Sequence, residues 1–329
     1  MKRNFLVTGG AGYVGSHLVA ALLDRGASVV VLDDLRQGHR AAVLPGAALV
    51  VGDAGDRAVL DRLFAAEAFD AVFHFASLSL VGESMRAPFR YLEENAVTAL
   101  HLIEAAVRHG VERFVLSSTA NLFGTPAEMP ITETAAADPG SPYGESKRMI
   151  ERALVWAERI HGLRSASLRY FNAAGADPAG RLGEDHDPET HLLPLVIDAA
   201  LGRRPPLTVF GTDYDTPDGT CIRDYIHVSD LAEAHLLALG RLDHGSAVYN
   251  LGNGEGHSVR QVIAAVEQAS GLRVPVEYGP RRAGDPPVLV AGSARLRAET
   301  GWTPRFPALP DIVRTAFTWH QAHPSGYAE

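Results

Sequence analysis

Short apolar, β-branched runs alternate with helix-period stretches through the first half of the chain. Runs at Phe5–Thr8, Ser28–Asp33, Leu49–Asp53, Ala71–Ala76, Arg113–Thr119 and Ser165–Asn172 predict strands. Between them, helical spacing runs from Val14 through Leu18, Ala21 and Leu22, then over residues 56–67, 88–109 and 142–161. Largely continuous apolar strands interleaved with helices predict a parallel sheet covered on both faces, because such strands have no polar side to turn to water. The expected fold class is α/β, with a doubly wound sheet.

After Asn172 the pattern changes. Residues 173–190 and 211–221 are rich in Gly, Asp, Pro and Thr without a period, and read as loops around a site. Helical pieces near 192–202, 229–240 and 258–269, with a short strand at Pro275–Tyr278, predict a smaller C-terminal α+β lobe. The expected division is 1–175 and 176–329, with the segment at about 224–250 packing back on the first domain. The tail HPSGYAE is expected to fray.

Composition narrows the function. A net charge of −9 disfavours non-specific nucleic-acid binding but leaves room for a local basic pocket holding a small phosphate-bearing molecule. A single cysteine, Cys221, cannot close an intramolecular disulfide. The apolar run near the start stops at glycine after three residues, and no apolar stretch reaches membrane-spanning length. The expectation is a cytoplasmic protein with no nucleic-acid or membrane partner.

The first strand runs directly into Thr8-Gly-Gly-Ala-Gly-Tyr-Val-Gly-Ser16, which opens the first helix. Its glycines permit a tight turn and let backbone N–H groups reach a pyrophosphate at the helix N-terminus, the Rossmann-type arrangement. Asp33 closes the second strand, where a carboxylate accepts from ribose hydroxyls and repels a 2′-phosphate. Asp34 adds to that repulsion, and Arg36 argues mildly the other way; NAD is expected over NADP. Asp53 closes the third strand within reach of an adenine amino group. His74-Phe-Ala-Ser-Leu-Ser79 follows the fourth strand and lines the same edge, with His74 itself read as a satisfied core histidine.

Ser141-Pro-Tyr-Gly-Glu-Ser-Lys147 carries a helix start, with Ser141 as cap and Pro142 in first position. Tyr143 and Lys147 then sit one turn apart on one face. A phenol is a poor base near neutral pH, but an ammonium and a positive nicotinamide favour its phenolate. It can then take a hydroxyl proton while hydride leaves the same carbon. Ser117-Ser118-Thr119 ends the fifth strand, where a hydroxyl can share that hydrogen bond.

These residues resemble the extended short-chain dehydrogenase/reductases, and within them the UDP-galactose 4-epimerases. The resemblance covers TGGAGYVGSH, FHFASLSLVGES, SSTANLFG, SPYGESK, RYFNAAGA, GTDYDTPDGTCIRDYIHVSDLA, YNLGNG and PRRAGDPP. It implies a catalytic triad of Thr119, Tyr143 and Lys147. For the cofactor it implies Gly9, Gly12, Tyr13, Val14 and Gly15, then Asp33, Asp34, Asp53 and Ala54. Phe75, Ala76, Ser77, Asn95, Ser117 and Tyr170 complete that set with Tyr143 and Lys147. For a UDP-sugar it implies Thr119, Asn172, His191, Leu192, Leu207 and Phe210, with Arg223, Tyr225, Arg282 and Asp285. Leu289 falls at the family's gate beside the sugar's carbon-2 substituent. Independently of the resemblance, guanidinium forks at Arg223 and Arg282 suit a diphosphate. A homodimer through helices of the first domain is implied as well.

Two departures stand out. Ser79 occupies a position where these epimerases often carry Lys, and Thr119 replaces the commoner Ser. Rival chemistries fit less well. A nucleotide-sugar dehydratase needs an acid and a base after the strand-end Thr, and those positions are Ala120 and Asn121. A non-catalytic NAD-sensing protein has no need of Tyr143 and Lys147 in register. A metal enzyme built on Asp185, His186 and His191 lacks a helical His pair, so these are read as loop polar groups and no metal is expected.

Overall fold

In the computed structural model, which describes residues 3–124, 128–282 and 285–327, successive side chains along each central strand serve two different cores. Phe5, Val7, Val29, Val31 and Phe73 pack on one face of the sheet, against Leu18 and Leu22 of helix Tyr13–Asp24 and Leu231 of helix Val228–Arg241. Leu6, Val30, Leu32, Val72 and Phe114 face the other way, onto helices Arg57–Ala66, Thr98–Arg108 and Pro142–His161. The period of two along a strand, apolar at both phases, is what makes a layer between helices stable.

The strands are β1 Asn4–Thr8, β2 Ser28–Asp33, β3 Ala47–Val51, β4 Ala71–His74, β5 Arg113–Thr119, β6 Arg164–Tyr170, β7 Asn172–Ala174, β8 Leu207–Phe210, β9 Ile222–His227, β10 Ala247–Leu251, β11 Gly256–Ser258, β12 Val276–Gly279 and β13 Val288–Leu289. Seven form one sheet in the order β10-β6-β5-β4-β1-β2-β3, with every pair parallel. The order reverses between β1 and β4, opening a crevice at the carboxyl ends of the strands where ligands bind in such folds. The doubly wound α/β class read from the sequence is the one observed.

Element boundaries moved where neighbours stop. The stretch expected as one strand over Ser165–Asn172 is two: β6 ends at Tyr170, and β7 begins at Asn172 and joins β9 in a second sheet, β11-β9-β13. The chain thus crosses from one sheet to the other beside Phe171. The helix expected over 88–109 contains a π-turn, Leu92–Val97, between Pro88–Tyr91 and Thr98–Arg108. Helix Leu309–Ala322 was not anticipated, nor was β10; the first buries Ile312, Val313 and Phe317 in the lobe core, beside Leu193, Ile197 and Val262.

The tail does not fray as far as Tyr327. Its backbone N–H donates to Asp185 Oδ2 at 2.8 Å, and its hydroxyl meets the Gly183 carbonyl oxygen at 3.1 Å. An aromatic ring with both polar ends satisfied anchors a terminus that composition alone reads as loose. Residues 328–329 of the expected frayed segment lie outside the described residues.

Candidate functional site

A cleft of about 1100 Å³ runs along the carboxyl edge of the large sheet, walled on its far side by the smaller lobe. That is at the upper end for a small-molecule site, and large enough for an extended ligand pair.

Its nearer end is the glycine turn. A Cβ on Gly9 would lie 2.4 Å from the Ala76 nitrogen, and one on Gly15 would lie 2.1 Å from the Gly9 carbonyl oxygen. These two glycines are demanded by strand–helix packing. Gly12 is different: its Cβ would meet nothing closer than the Gly9 oxygen at 3.5 Å. The protein does not fill the space over Gly12, and the helix beginning at Tyr13 has no side-chain cap. An open, uncapped helix N-terminus fits a pyrophosphate. Tyr13 and Val14 line the cleft there, and the Tyr13 hydroxyl donates to the Gly175 carbonyl at 2.6 Å.

Asp33 is almost buried and is held by two backbone donors, Ala11 N and Leu35 N, each at 2.9 Å. Burial raises its carboxyl above the ordinary value, against those two hydrogen bonds. Arg36 is occupied by Asp34 at 2.5 Å and Glu94 at 2.7 Å. Its charge is therefore neutralised by carboxylates, which removes its argument for a 2′-phosphate. Asp53 and Ala54 line the same end. Phe75, Ala76, Ser77 and Ser79 line the crevice beside them. Asn95, in the π-turn, grips the Leu78 backbone from both sides: Oδ1 accepts from its N–H at 2.8 Å and Nδ2 donates to its carbonyl at 3.0 Å. A second donation goes to Ser146 Oγ at 3.0 Å, so Asn95 shapes the loop. His74 is fully buried with Nδ1 at 2.7 Å from Thr8 Oγ1, a core histidine.

The residues read as catalytic from the sequence meet where helix Pro142–His161 starts. Ser141 Oγ accepts from Gly144 N at 3.1 Å, and Pro142 occupies the first turn. Gly144 is a residue that the sequence argument passed over. A Cβ there would lie 2.5 Å from the Asn121 carbonyl oxygen, so only glycine lets this helix press onto the turn after β5. Tyr143 is thereby set beside Thr119. Burial raises the Tyr143 phenol above its ordinary value, and the Thr119 hydroxyl pulls against that rise. The expected lowering by the Lys147 ammonium is not what the geometry delivers: Lys147 Nζ donates to the Ser117 carbonyl at 2.9 Å. Lys147 is itself sealed, and burial lowers it to about 7 against the attraction of Glu151. Ser117 Oγ meets the Tyr170 hydroxyl at 2.6 Å. Behind this layer a buried ion pair, Arg169 with Glu151, also receives the Ser118 hydroxyl at 2.6 Å.

On the lobe side, Asn172, His191, Arg223, Arg282, Asp285 and Leu289 all line the cleft. Arg223 donates to Asp285 at 3.2 Å and to the Ile222 carbonyl at 2.8 Å. The Arg282 guanidinium stacks 4.2 Å over the Phe210 ring, which orients it without neutralising it. Four further residues named from the sequence pack within or against the elements behind these groups. Leu207 and Tyr225 are buried in the lobe core, Leu192 packs against that core, and Phe210 sits beneath Arg282. Conversely, Asp185 turns away to Tyr327, while Glu184 and Glu189 converge on His186 and His191. Burial would lower those two histidines, but the facing carboxylates carry them up to about 9 and about 10. His186 and His191, read from the sequence with Asp185 as loop polar groups, are joined instead by Glu184 and Glu189 in the spacing E-x-H-x-x-E-x-H.

Comparison with known proteins agrees with this geometry. A UDP-glucose 4-epimerase of Halalkalibacterium halodurans is 48% identical over 98% of this chain and 97% of its own length. A solved UDP-glucose 4-epimerase from Brucella ovis in complex with NAD has a TM-score of 0.93 at 43% identity, covering 96% of this chain and 98% of its own. One from Bifidobacterium longum, in complex with NAD+ and UDP, has a TM-score of 0.92 at 37% identity, covering 98% and 100%. The model of the NAD dependent epimerase/dehydratase family matches residues 5–252, a span that holds both the glycine turn over β1 and the Tyr143–Lys147 helix turn. With the fold, the cofactor cradle and the sequence in accord, the chain belongs to the NAD dependent epimerase/dehydratase family.

Proposed function

We propose that the chain interconverts UDP-glucose and UDP-galactose by epimerisation at sugar carbon 4. One arrangement carries the reading: a buried phenol, Tyr143, with Thr119 and Lys147 at one end of a cleft, and two arginines, Arg223 and Arg282, on its opposite wall. Guanidinium forks suit a diphosphate, and the hydroxyl-rich strand end suits a sugar.

NAD, when bound along the crevice from Gly12 to Ser117, supplies a hydride acceptor that is restored within the same turnover. Asp33 would hold its adenosine ribose, and Lys147 would lie under the nicotinamide end. Tyr143 would take the proton of the carbon-4 hydroxyl and later return it, with Thr119 holding the oxygen in line. The 4-keto sugar turns over while Arg223, Arg282 and Asn172 keep the nucleotide fixed. Burial disfavours the Tyr143 phenolate, so positive charge beside it would favour the proton-accepting form. A dehydratase is disfavoured because Ala120 and Asn121 offer no carboxylate, and Asn121 Nδ2 instead donates to Thr119 Oγ1 at 3.2 Å.

The proposal extends to assembly and place. Met149, Trp156 and Ile160 form an exposed stripe at helical spacing on Pro142–His161. Phe89, Val97 and Leu100 are exposed along the neighbouring helical segment. Two apolar faces side by side support a homodimer through these helices. No helix among the described residues is long and apolar enough to cross a membrane, and a reducing, cytoplasmic setting suits the lone Cys221. The working division is a cofactor domain to residue 175, joined by about 224–250, and a UDP-sugar lobe from 176. The decisive experiment incubates the purified protein with UDP-galactose and follows UDP-glucose formation without added reductant. Failure to interconvert, or consumption of NADPH, overturns the reading.

A further inference from the structure

We propose that Glu184, His186, Glu189 and His191 bind one tetrahedral divalent cation of the zinc class in the wall of the cleft. All four come from residues 184–191, and their donor atoms lie within 4.8 Å of one another. The spacing is the main observation. Glu184 Oε1 stands 3.4 Å from His186 Nδ1 and 3.0 Å from His191 Nδ1. Glu189 closes the figure, with Oε2 3.6 Å from His186 Nδ1 and Oε1 3.0 Å from His191 Nδ1. Zinc bonds to nitrogen and oxygen at about 2.0–2.2 Å, which gives a tetrahedron with edges of roughly 3.3–3.5 Å. The two Glu184 contacts and either Glu189 contact stand within about 0.5 Å of that length, Glu189 reaching His186 and His191 with different oxygens.

A second observation concerns unused bonding capacity. Glu184 is only 4% exposed, yet its Oε1 has no hydrogen-bond partner. His186 Nδ1 is also without one. Both atoms lie at ion-pair distance from the cluster but out of hydrogen-bond alignment. The two imidazoles offset the Glu184 charge at 3.4 and 3.0 Å without aligned hydrogen bonds to Oε1, and a cation at the centre would displace their protons and complete the bonding of that oxygen. Two imidazoles and two carboxylates around a dication are electrically neutral, as a buried site requires. Four protein ligands leave no open position, so the site is structural rather than a source of activated water.

Its position says what it would stabilise. The His186 ring meets Tyr13 edge-on with centroids 6.2 Å apart, and Tyr13 directly follows Gly12 of the cofactor turn. His191 immediately precedes helix Leu192–Ala200 of the lobe. The cation would therefore tie one wall of the cleft to both of its halves. This inference does not depend on which sugar is turned over.

The test uses tag-free protein equilibrated with zinc chloride and dialysed against metal-free buffer, with metal content read by mass spectrometry. The expected result is about one zinc per chain, with a thermal midpoint several degrees higher than after chelation. His186→Asn and Glu189→Gln, checked for folding by circular dichroism, should weaken zinc binding by about 100-fold or more. Wild-type protein that holds no zinc above the dialysis buffer overturns the proposal. So do folded variants that hold as much as wild type, since the metal then sits elsewhere. Should the variants not fold, anomalous scattering at the zinc edge from wild-type crystals decides, by a peak among these four side chains or none.

Discussion

Lys147 donates from Nζ to the carbonyl oxygen of Ser117 at 2.9 Å, and neither residue is appreciably exposed. The contact fixes an amine under the end of β5 while Tyr143, one turn earlier, faces Thr119 on the next residue but one of that strand. Helix and strand are thus locked at two points, Lys147 on Ser117 and Tyr143 on Thr119. The burial that locks them has a cost, since an ammonium with one hydrogen-bond partner is poorly solvated.

That cost should be measurable. The native Lys147 falls to about 7, whereas an unfolded lysine titrates near 10.4. Below about pH 7 both states hold the proton and the penalty is complete. Between there and about pH 10 the native chain gives up its proton first, so stability rises with pH. Lys147→Met should therefore abolish activity yet stabilise NAD-free protein by about 0.5–2 kcal/mol at pH 7. The gain should shrink towards pH 10. Urea unfolding at pH 6.5, 8 and 9.5 measures it; a variant less stable at pH 6.5 contradicts the account.

Tyr143→Phe removes the proposed proton acceptor and keeps the ring that fills the helix start. Fold and NAD content should survive, with kcat lower by at least roughly 100-fold. Near-normal turnover in this variant would move the base elsewhere.

Gly144→Ala tests the packing that aims the phenol. The new methyl would lie 2.5 Å from the Asn121 carbonyl oxygen and 3.1 Å from Pro139 Cβ. The helix start must then back away from the turn that holds Thr119. The expected losses are about 1–3 kcal/mol of stability and roughly 10- to 100-fold in kcat, with a smaller change in KM. Wild-type kcat at reduced stability would show that the contact serves the fold alone.

The sequence made the sheet and the two ends of the cleft readable because both are local. Strand periodicity places β1 to β5, and a glycine turn or a capped helix start announces itself within a few residues. What stayed hidden depends on contacts distant in sequence. Gly144 matters only because Asn121 approaches it, and Tyr327 is ordered only because Gly183 and Asp185 receive it. The Glu184–His191 cluster is local in sequence, but its loop has no period to betray it. Leu207 and Tyr225 are buried among Leu193, Ile197 and Val262, partners distant in sequence that the local motifs do not announce.

Leu289 offers the last test, because it stands between two roles. In β13 it pairs with Arg223 of β9, which places its backbone beside a cleft arginine. Its side chain is part of the cleft wall, and it also packs against the small apolar cluster of Ala120, Phe123 and Ile131. Ala120 and Phe123 belong to the turn that follows Thr119, so Leu289 bridges the Arg223 wall and the Thr119 end of the cleft. A branched side chain braced from behind cannot swing aside as a methionine could. An N-acetyl group on carbon 2 would have to displace it, at about 1–3 kcal/mol. The wild-type enzyme should therefore favour UDP-glucose and UDP-galactose over their N-acetyl counterparts by about 10- to 100-fold in kcat/KM. Leu289→Ala should narrow that ratio by about tenfold, chiefly by raising turnover of the larger sugar. Both substrate pairs assayed on both proteins give the answer. Equal use of the N-acetyl sugar by wild type, or a ratio unmoved by the substitution, would leave Leu289 as packing for the turn after Thr119 and place the size limit on another wall.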